Sequence, residues 1–197
     1  MTFLFDIGRV LLDFDFKSSL SRLLPPDVTD VTKRLERLLE RKDDFEAGRI
    51  EVDAYTNWAL DVLETNATAE EFHHAWRSIF TPNEPMWQRV RQLSADGHRL
   101  ILFSNINGIH VPWIYDEYQI FALFDEAVFS FEAGSIKPDP EIYQHAIDAH
   151  RLVPQETFYI DDLPQNIVTG KQFGFHSWQY DLNDHSSFDR WLASFNL

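Results

Sequence analysis

Arg99-Leu100-Ile101-Leu102-Phe103-Ser104-Asn105 is an apolar run that stops abruptly at a hydroxyl and an amide. Unbroken rather than alternating apolar character marks a strand covered on both faces, as in a parallel sheet, although a run this short also fits a segment of buried helix. The surrounding pattern favours the strand. Similar runs recur at Thr2–Phe5, 127–129, 157–160 and 175–180, each bounded by polar or glycine residues. Helical spacing separates the later ones. Pro140–His150 carries Ile142, Tyr143, Ala146 and Ile147 three and four residues apart, with Asp139 as an N-cap before proline at the first helical position. Shorter helices are expected at 165–173 and 187–195. Strand and helix in alternation from residue 99 onward predict an α/β fold with a doubly wound, mostly parallel sheet.

About ninety residues between the first strand and the second have a different texture. At 30–41, Val31, Leu35, Leu38 and Leu39 share one face, with Lys33, Arg34, Arg37 and Glu40 opposite, which makes an amphipathic helix. Val52–Leu63 and 69–80 repeat the pattern, and Thr68 with Glu71 forms a capping box for the latter. Residues 89–95 look like the helix that returns the chain to the sheet. The expected organisation is therefore an α/β core of residues 1–14 and 89–197, with residues 15–88 inserted as a helical-bundle cap. The insertion follows the carboxyl end of the first strand, which is where open α/β sheets bind ligands. Length agrees: 197 residues hold one core with a modest insertion.

Composition narrows the function. With 32 acidic against 17 basic residues and a net charge of -15, the chain has no positive field to steer nucleic acid or an anionic membrane. The absence of cysteine removes disulfides, thiolate catalysis and cysteine zinc sites, leaving oxygen and nitrogen chemistry. Apolar runs such as 120–124 fall far short of the roughly 20 residues of a membrane span, and Asp6 and Arg9 interrupt the only apolar stretch that a signal peptide could use. A cytoplasmic location is the expectation.

Chemistry-bearing residues sit where strands end. The run Phe3-Leu4-Phe5 delivers Asp6 to its tip, and Gly8 lets the backbone come close to a ligand; an Asp leaving a strand is more commonly a turn or a cap. Ser104 and Asn105 can donate to an anion or form an ordinary strand-terminal turn. Lys137 is held between Gly134 and two prolines in Gly134-Ser135-Ile136-Lys137-Pro138-Asp139-Pro140, unlike a freely solvated lysine. The run Phe158-Tyr159-Ile160 ends in Asp161-Asp162, two like charges that a cation or solvent exposure would relieve.

The order Asp6, Ser104-Asn105, Lys137, Asp161-Asp162, with helices between the first two, resembles the haloacid dehalogenase superfamily of aspartate-nucleophile phosphohydrolases over essentially the whole chain. The opening Asp6-Ile7-Gly8-Arg9-Val10-Leu11-Leu12-Asp13-Phe14-Asp15, the Lys137 segment and Asn166 are similar to the branch holding bacterial sugar-phosphate phosphatases, notably those acting on α-D-glucose 1-phosphate. The resemblance implies a Mg²⁺-dependent phosphomonoesterase acting on a small phosphorylated metabolite. Asp6 would be nucleophile and metal ligand, Gly8 would lend its carbonyl to the metal, and Asp162 would bind the metal directly. Asp161 would act through water or hold Lys137. Ser104, the Asn105 backbone and Lys137 would clamp the phosphoryl oxygens, and Asn166 would orient the metal site.

One position departs from the superfamily. Most of its phosphatases carry a second Asp two residues after the nucleophile, where this chain has Gly8. That residue protonates the leaving oxygen, a contribution of roughly 10²- to 10⁴-fold. An acidic leaving group such as an anomeric oxygen would lessen the need, and is the favoured account because the branch shares the glycine. Asp13, Asp15 or a cap residue could instead give the proton, or the protein could bind phosphorylated ligands without turning them over. A haloacid dehalogenase is the remoter alternative, since it would use no metal and an aromatic residue at position 8. Phe45, Trp58, Trp76 and Phe80 suit a helical core or, for Phe45 and Trp76, a sugar. Asp43 and Asp44 read as solubilising charge, and His73 and His74 as surface groups.

Overall fold

A computed structural model describes residues 1–197. Five strands form one sheet: β1 (Thr2–Phe5), β4 (Arg99–Ser104), β5 (Glu126–Phe129), β6 (Thr157–Asp161) and β7 (His176–Gln179). Their order is β5-β4-β1-β6-β7 and every neighbouring pair is parallel. The central position of β1 explains its composition, since Phe3, Leu4 and Phe5 have no exposed surface at all. Alternate residues feed two apolar layers. Phe3 and Phe5 join Leu100, Leu102, Phe158 and Ile160 on one face, while Leu4 joins Ile101, Phe103 and Tyr159 on the other. Burial on both faces is what the continuous apolar runs required.

All five runs expected as strands are strands, each displaced by a residue at most. A second, antiparallel ribbon was not expected. It pairs β2 (Leu12–Phe14) with β3 (Phe80–Pro82), in the register Leu12 to Pro82 and Phe14 to Phe80. Three-residue strands are too short to show a period, and their partners lie on either side of a long insertion.

Between the ribbon strands lie α1 (Phe16–Leu20), α2 (Val31–Leu39), α3 (Lys42–Glu46), α4 (Val52–Leu63) and α5 (Ala69–Arg77). They share their own apolar cluster, including Leu20, Leu38, Phe45, Tyr55, Val62, Phe72 and Trp76. The α5 capping box is present, with both reciprocal bonds between Thr68 and Glu71. The helix ends at Arg77 rather than at 80, because the ribbon claims Phe80.

The remaining helices are α6 (Glu84–Ala95), α7 (His110–Glu117), α8 (Ser130–Ala133), α9 (Pro140–His150), α10 (Pro164–Gln172) and α11 (His185–Ala193). Helix α6 starts at Glu84, and its Met86 and Trp87 already belong to the cluster that holds Phe3 and Phe5. Asp139 occupies the N-cap position of α9 but its side chain makes no capping bond. No helix is long and apolar enough to cross a membrane.

Candidate active site

Strands β4, β1 and β6 lie side by side and run the same way, so their carboxyl ends open on one edge. The register pairs Phe5 with Leu102 and with Ile160, and the Asp6 amide extends the ladder by donating to the Ile160 carbonyl at 2.9 Å. Asp6 and Asp161 are the next residues along β1 and β6, and Ser104, two beyond Leu102, ends β4, so all three emerge at the same edge. Parallel pairing has converted three stretches far apart in sequence into one cluster.

Lys137 reaches this edge from the loop between α8 and α9 and is 3% exposed. Its ammonium donates to the Phe103 carbonyl at 2.7 Å and to Asp161 Oδ2 at 2.6 Å, and stands 3.0 Å from Asp6 Oδ1. Three partners use all three of its donors. Burial alone would pull this ammonium down, but Asp161 and Asp6 outweigh it and hold the group above its usual range, hence protonated. Asn105 fixes the segment by a pair of bonds, accepting from the Lys137 amide and donating to the Lys137 carbonyl, both at 2.8 Å.

Asp161 is fully buried and fully occupied. Beyond Lys137 it accepts from the Tyr159 hydroxyl at 2.6 Å, the Leu163 amide at 2.9 Å and Asn166 Nδ2 at 2.9 and 3.1 Å. These donors leave it little capacity to bind anything else. Tyr143 continues the scaffold by donating to the Asn166 carbonyl at 2.9 Å.

Asp6 and Asp162 are differently placed. Burial pushes the Asp6 carboxyl above its ordinary range, opposed by Lys137 and by the Ser104 hydroxyl beside it. Asp162 is pushed up to about 7, by burial first and then by Asp6 and Asp161. Ligand oxygens of Asp6, Asp161 and Asp162 lie within 4.8 Å of one another. Three carboxylates against one ammonium leave two negative charges uncompensated, which a divalent cation would cancel. A second observation agrees with a cation: Asn166 is 1% exposed, and its Oδ1 has no hydrogen-bond partner although its Nδ2 is fixed on Asp161. A water on a metal ion could donate to that oxygen. The donor set is all oxygen, which suits a hard cation.

Asp6, Asp162, Ser104, Lys137 and Asn166, though not Asp161, line a cavity of about 160 Å³ together with Gly8, Arg9, Phe14, Phe16, Phe80 and His110. It is smaller than the roughly 300 Å³ at which pockets for drug-sized ligands begin. A larger cavity of about 800 Å³ lies in the helical insertion, between residues such as Arg22, Pro25, Glu70 and His74, and contains none of Asp6, Asp161 and Asp162. The chemistry identifies the smaller one as the site.

Residues 1–174 match the model of the haloacid dehalogenase-like hydrolase family. The chain belongs to this family. D-ribitol-5-phosphate phosphatase of Bacteroides thetaiotaomicron is 26% identical over 185 residues, spanning 89% of each protein. A hydrolase of the haloacid dehalogenase type from Porphyromonas gingivalis is 25% identical in sequence, with a TM-score of 0.77 over 97% of both chains. A haloacid dehalogenase family enzyme from B. thetaiotaomicron, an Asp-to-Ala variant solved with magnesium and inorganic phosphate, superposes with a TM-score of 0.79 over 92% of this chain and 94% of that one, at 20% identity.

The surroundings of Gly8 explain why glycine fits at this position. A Cβ there would stand 3.1 Å from Cε1 of Phe14, whose ring also carries the Arg9 guanidinium 4.6 Å from its centroid. A side chain there would require the Phe14 ring to give by a few tenths of an ångström. Neither Asp13 nor Asp15 compensates. Asp13 pairs with Arg9 at 2.5 Å and accepts from the Phe14 amide, while Asp15 caps α1 through Ser18, which lowers its pKa; neither lines the cavity. Phe45 and Trp76 are committed to the apolar cluster of the insertion, with Phe45 stacked on Tyr55 at 4.0 Å between centroids. Phe80 does face the cavity.

Sequence reasoning missed three contributors. Tyr159 and Tyr143 read as core aromatics, and only the tertiary packing turns their hydroxyls onto Asp161 and Asn166. Glu46 follows Asp43, Asp44 and Phe45 in what reads as a charged surface run, yet it is 7% exposed and lines the cavity beside Lys42.

Proposed function

We propose that this hydrolase is a Mg²⁺-dependent phosphomonoesterase that releases phosphate from a small phosphorylated metabolite, a sugar or polyol phosphate, through an aspartyl-phosphate on Asp6. The supporting observation is the division of labour among the carboxylates. Asp161 is consumed in holding Lys137, whereas Asp6 and Asp162 remain beside the cavity with charge to compensate.

Asp6, Asp162 and the Gly8 carbonyl would hold the ion, which when bound neutralises the carboxylates and draws electron density from the phosphoryl oxygens. Asp6 attacks phosphorus, the bond to the leaving oxygen breaks, and water then hydrolyses the acyl phosphate to return the free carboxylate. Lys137 is positioned to place positive charge on the phosphoryl oxygens without deprotonating, and Ser104 with the Asn105 backbone supplies further donors. Asp161 keeps the ammonium aimed, and Asn166 fixes Asp161. Helices α1 to α5, proposed as a cap over residues 15–88, close the site from above and choose the alcohol.

The substrate class is supported by the small cavity and by the relative that acts on ribitol 5-phosphate. Glucose 1-phosphate belongs to the same class and is the member suggested by the opening motif. A panel of anomeric and primary sugar phosphates, assayed for phosphate release, tests the reading. Asp6→Asn should abolish turnover with the fold intact, and chelation should silence the wild type until Mg²⁺ is restored. Phosphate release that persists in chelator would refute the metal dependence. Binding of a phosphosugar with no release from any ester would favour a silent ligand binder.

A further inference from the structure

We propose that Glu46 supplies the leaving-group proton that a side chain at position 8 would otherwise deliver. The assignment rests on the phosphomonoesterase reading above and deepens it.

Position 8 cannot carry an acid without displacing the Phe14 ring, and Asp13 and Asp15 are engaged elsewhere. The cavity that contains Asp6 has one further carboxyl outside the carboxylate cluster, and it comes from the helical insertion: Glu46, at the last position of α3. Two features hold it there. Lys42, one turn earlier, donates to Glu46 Oε2 at 2.5 Å. Immediately beyond, Gly48 adopts φ +68°, and a Cβ on it would fall 2.2 Å from the Phe131 carbonyl oxygen. Only glycine lets the backbone press so closely against α8, and this contact ties the end of α3 to the core. The Glu46 carboxyl lines the same cavity as Asp6 and Asp162, and its hydrogen bond is to Lys42 rather than to either of them.

Burial pushes the Glu46 carboxyl up to about 7, against the opposing pull of Lys42. Asp43 of its own helix and Asp6 of β1 act in the same direction as burial. Arg9, Lys137 and Asp162 complete the charged lining, the Tyr55 hydroxyl adjoins from α4, and His110 is neutral because burial holds its pKa at about 3. A carboxyl that keeps its proton near neutrality meets the requirement for general-acid catalysis.

The step balances. As an Asp6 oxygen bonds to phosphorus, the ester P–O bond breaks and its electron pair takes the Glu46 proton, giving neutral alcohol and a Glu46 carboxylate. The same carboxylate then removes a proton from the water that attacks the aspartyl-phosphate, returning Glu46 to its acid form and releasing phosphate.

The test compares leaving groups in the Mg²⁺-loaded enzyme. Nitrophenolate departs from p-nitrophenyl phosphate without a proton, whereas the alcohol of ribitol 5-phosphate cannot. In Glu46→Gln the pre-steady-state burst of nitrophenolate should stay within about threefold of wild type, which also reports an intact site. Alcohol release from ribitol 5-phosphate should fall about 10²- to 10⁴-fold through kcat. Glu46→Asp should recover part of that loss. The alkaline limb of the wild-type alkyl-ester profile should move to higher pH in Lys42→Met, which removes the charge that holds Glu46 down. Equal losses on both esters, or a KM rise with unchanged kcat, would assign Glu46 to shaping or recognition and overturn the proposal. Wild-type turnover of both esters with Glu46→Gln unaffected would overturn this assignment alone, whereas a wild type that cleaves neither overturns the phosphomonoesterase reading.

Discussion

Replacing Glu46 by Gln should make the metal-free protein more stable at alkaline pH, and the size of the gain follows from where Glu46 sits. Its folded-state pKa is raised from an ordinary 4.5 to about 7, with burial as the main cause. The unfolded chain therefore loses this proton first, so the native state binds more protons between the two values and stability falls as pH rises. The favourable contribution is fully present below about pH 4.5 and lost as pH climbs through about 7. Holding the ionised carboxylate in the folded site costs about 3 kcal/mol in full, most of which develops between pH 5 and pH 8. Glutamine has the same shape and no charge to bury, so the stability difference between mutant and wild type should grow by about 2 to 3 kcal/mol over that interval. Urea denaturation of both proteins in chelator, at half-unit steps from pH 5 to pH 8, measures it directly. Subtracting wild type from mutant cancels the titration of the other carboxylates. A difference independent of pH would refute the reasoning, because it would mean that Glu46 titrates as a surface group. Such a cost is expected of a group kept for function rather than for stability.

Lys137→Met should destabilise by about 3–5 kcal/mol, because it leaves the buried Asp161 and Asp6 charges without their partner. Adding Asp161→Asn should restore part of that loss, and a double-mutant cycle that comes out additive would contradict the pairing. In Gly170→Ala the new Cβ would meet Tyr159 Cδ1 at 2.5 Å and Ser177 Oγ at 2.8 Å. Tyr159 cannot retreat while its hydroxyl is bonded to Asp161, so overpacking of about 1–3 kcal/mol should exceed the gain of about 1 kcal/mol in helix propensity. A mutant with a raised melting temperature would reverse that sign. Mg²⁺ at one hundred times its Kd should stabilise the wild type by about 2.7 kcal/mol. Thermal denaturation of Asp162→Asn should show that gain reduced or lost, and an undiminished shift would place the ion elsewhere.

The core sheet was legible because a strand buried on both faces must be apolar at every position, and the five runs say so without reference to their partners. The order of Asp6, Ser104, Lys137 and Asp161-Asp162 was legible too, since each follows a strand or sits in a proline-restrained loop. The β2–β3 ribbon was not, because its stability comes from pairing across some sixty-five intervening residues rather than from any local period.

The roles within the site divide the same way. Sequence alone placed Asp6, Ser104 and Asp161-Asp162 at the ends of buried strands, because strand direction fixes where a strand-terminal residue emerges, and the family resemblance added Lys137 to them. Residue type and spacing could not distinguish Asp161 from Asp162, and only the family resemblance gave Asp162 to the metal and Asp161 to water or to Lys137. Packing decided that one is enclosed by Lys137, Tyr159 and Asn166 while the other faces the cavity. Nor could residue type and spacing separate Glu46 from Asp43 and Asp44. All three are charged residues on one short helix, and only the contact between Gly48 and the Phe131 backbone turns one of them out of water and into the site. Burial is a property of what folds back onto a residue, so the proton that Glu46 retains was settled by tertiary structure.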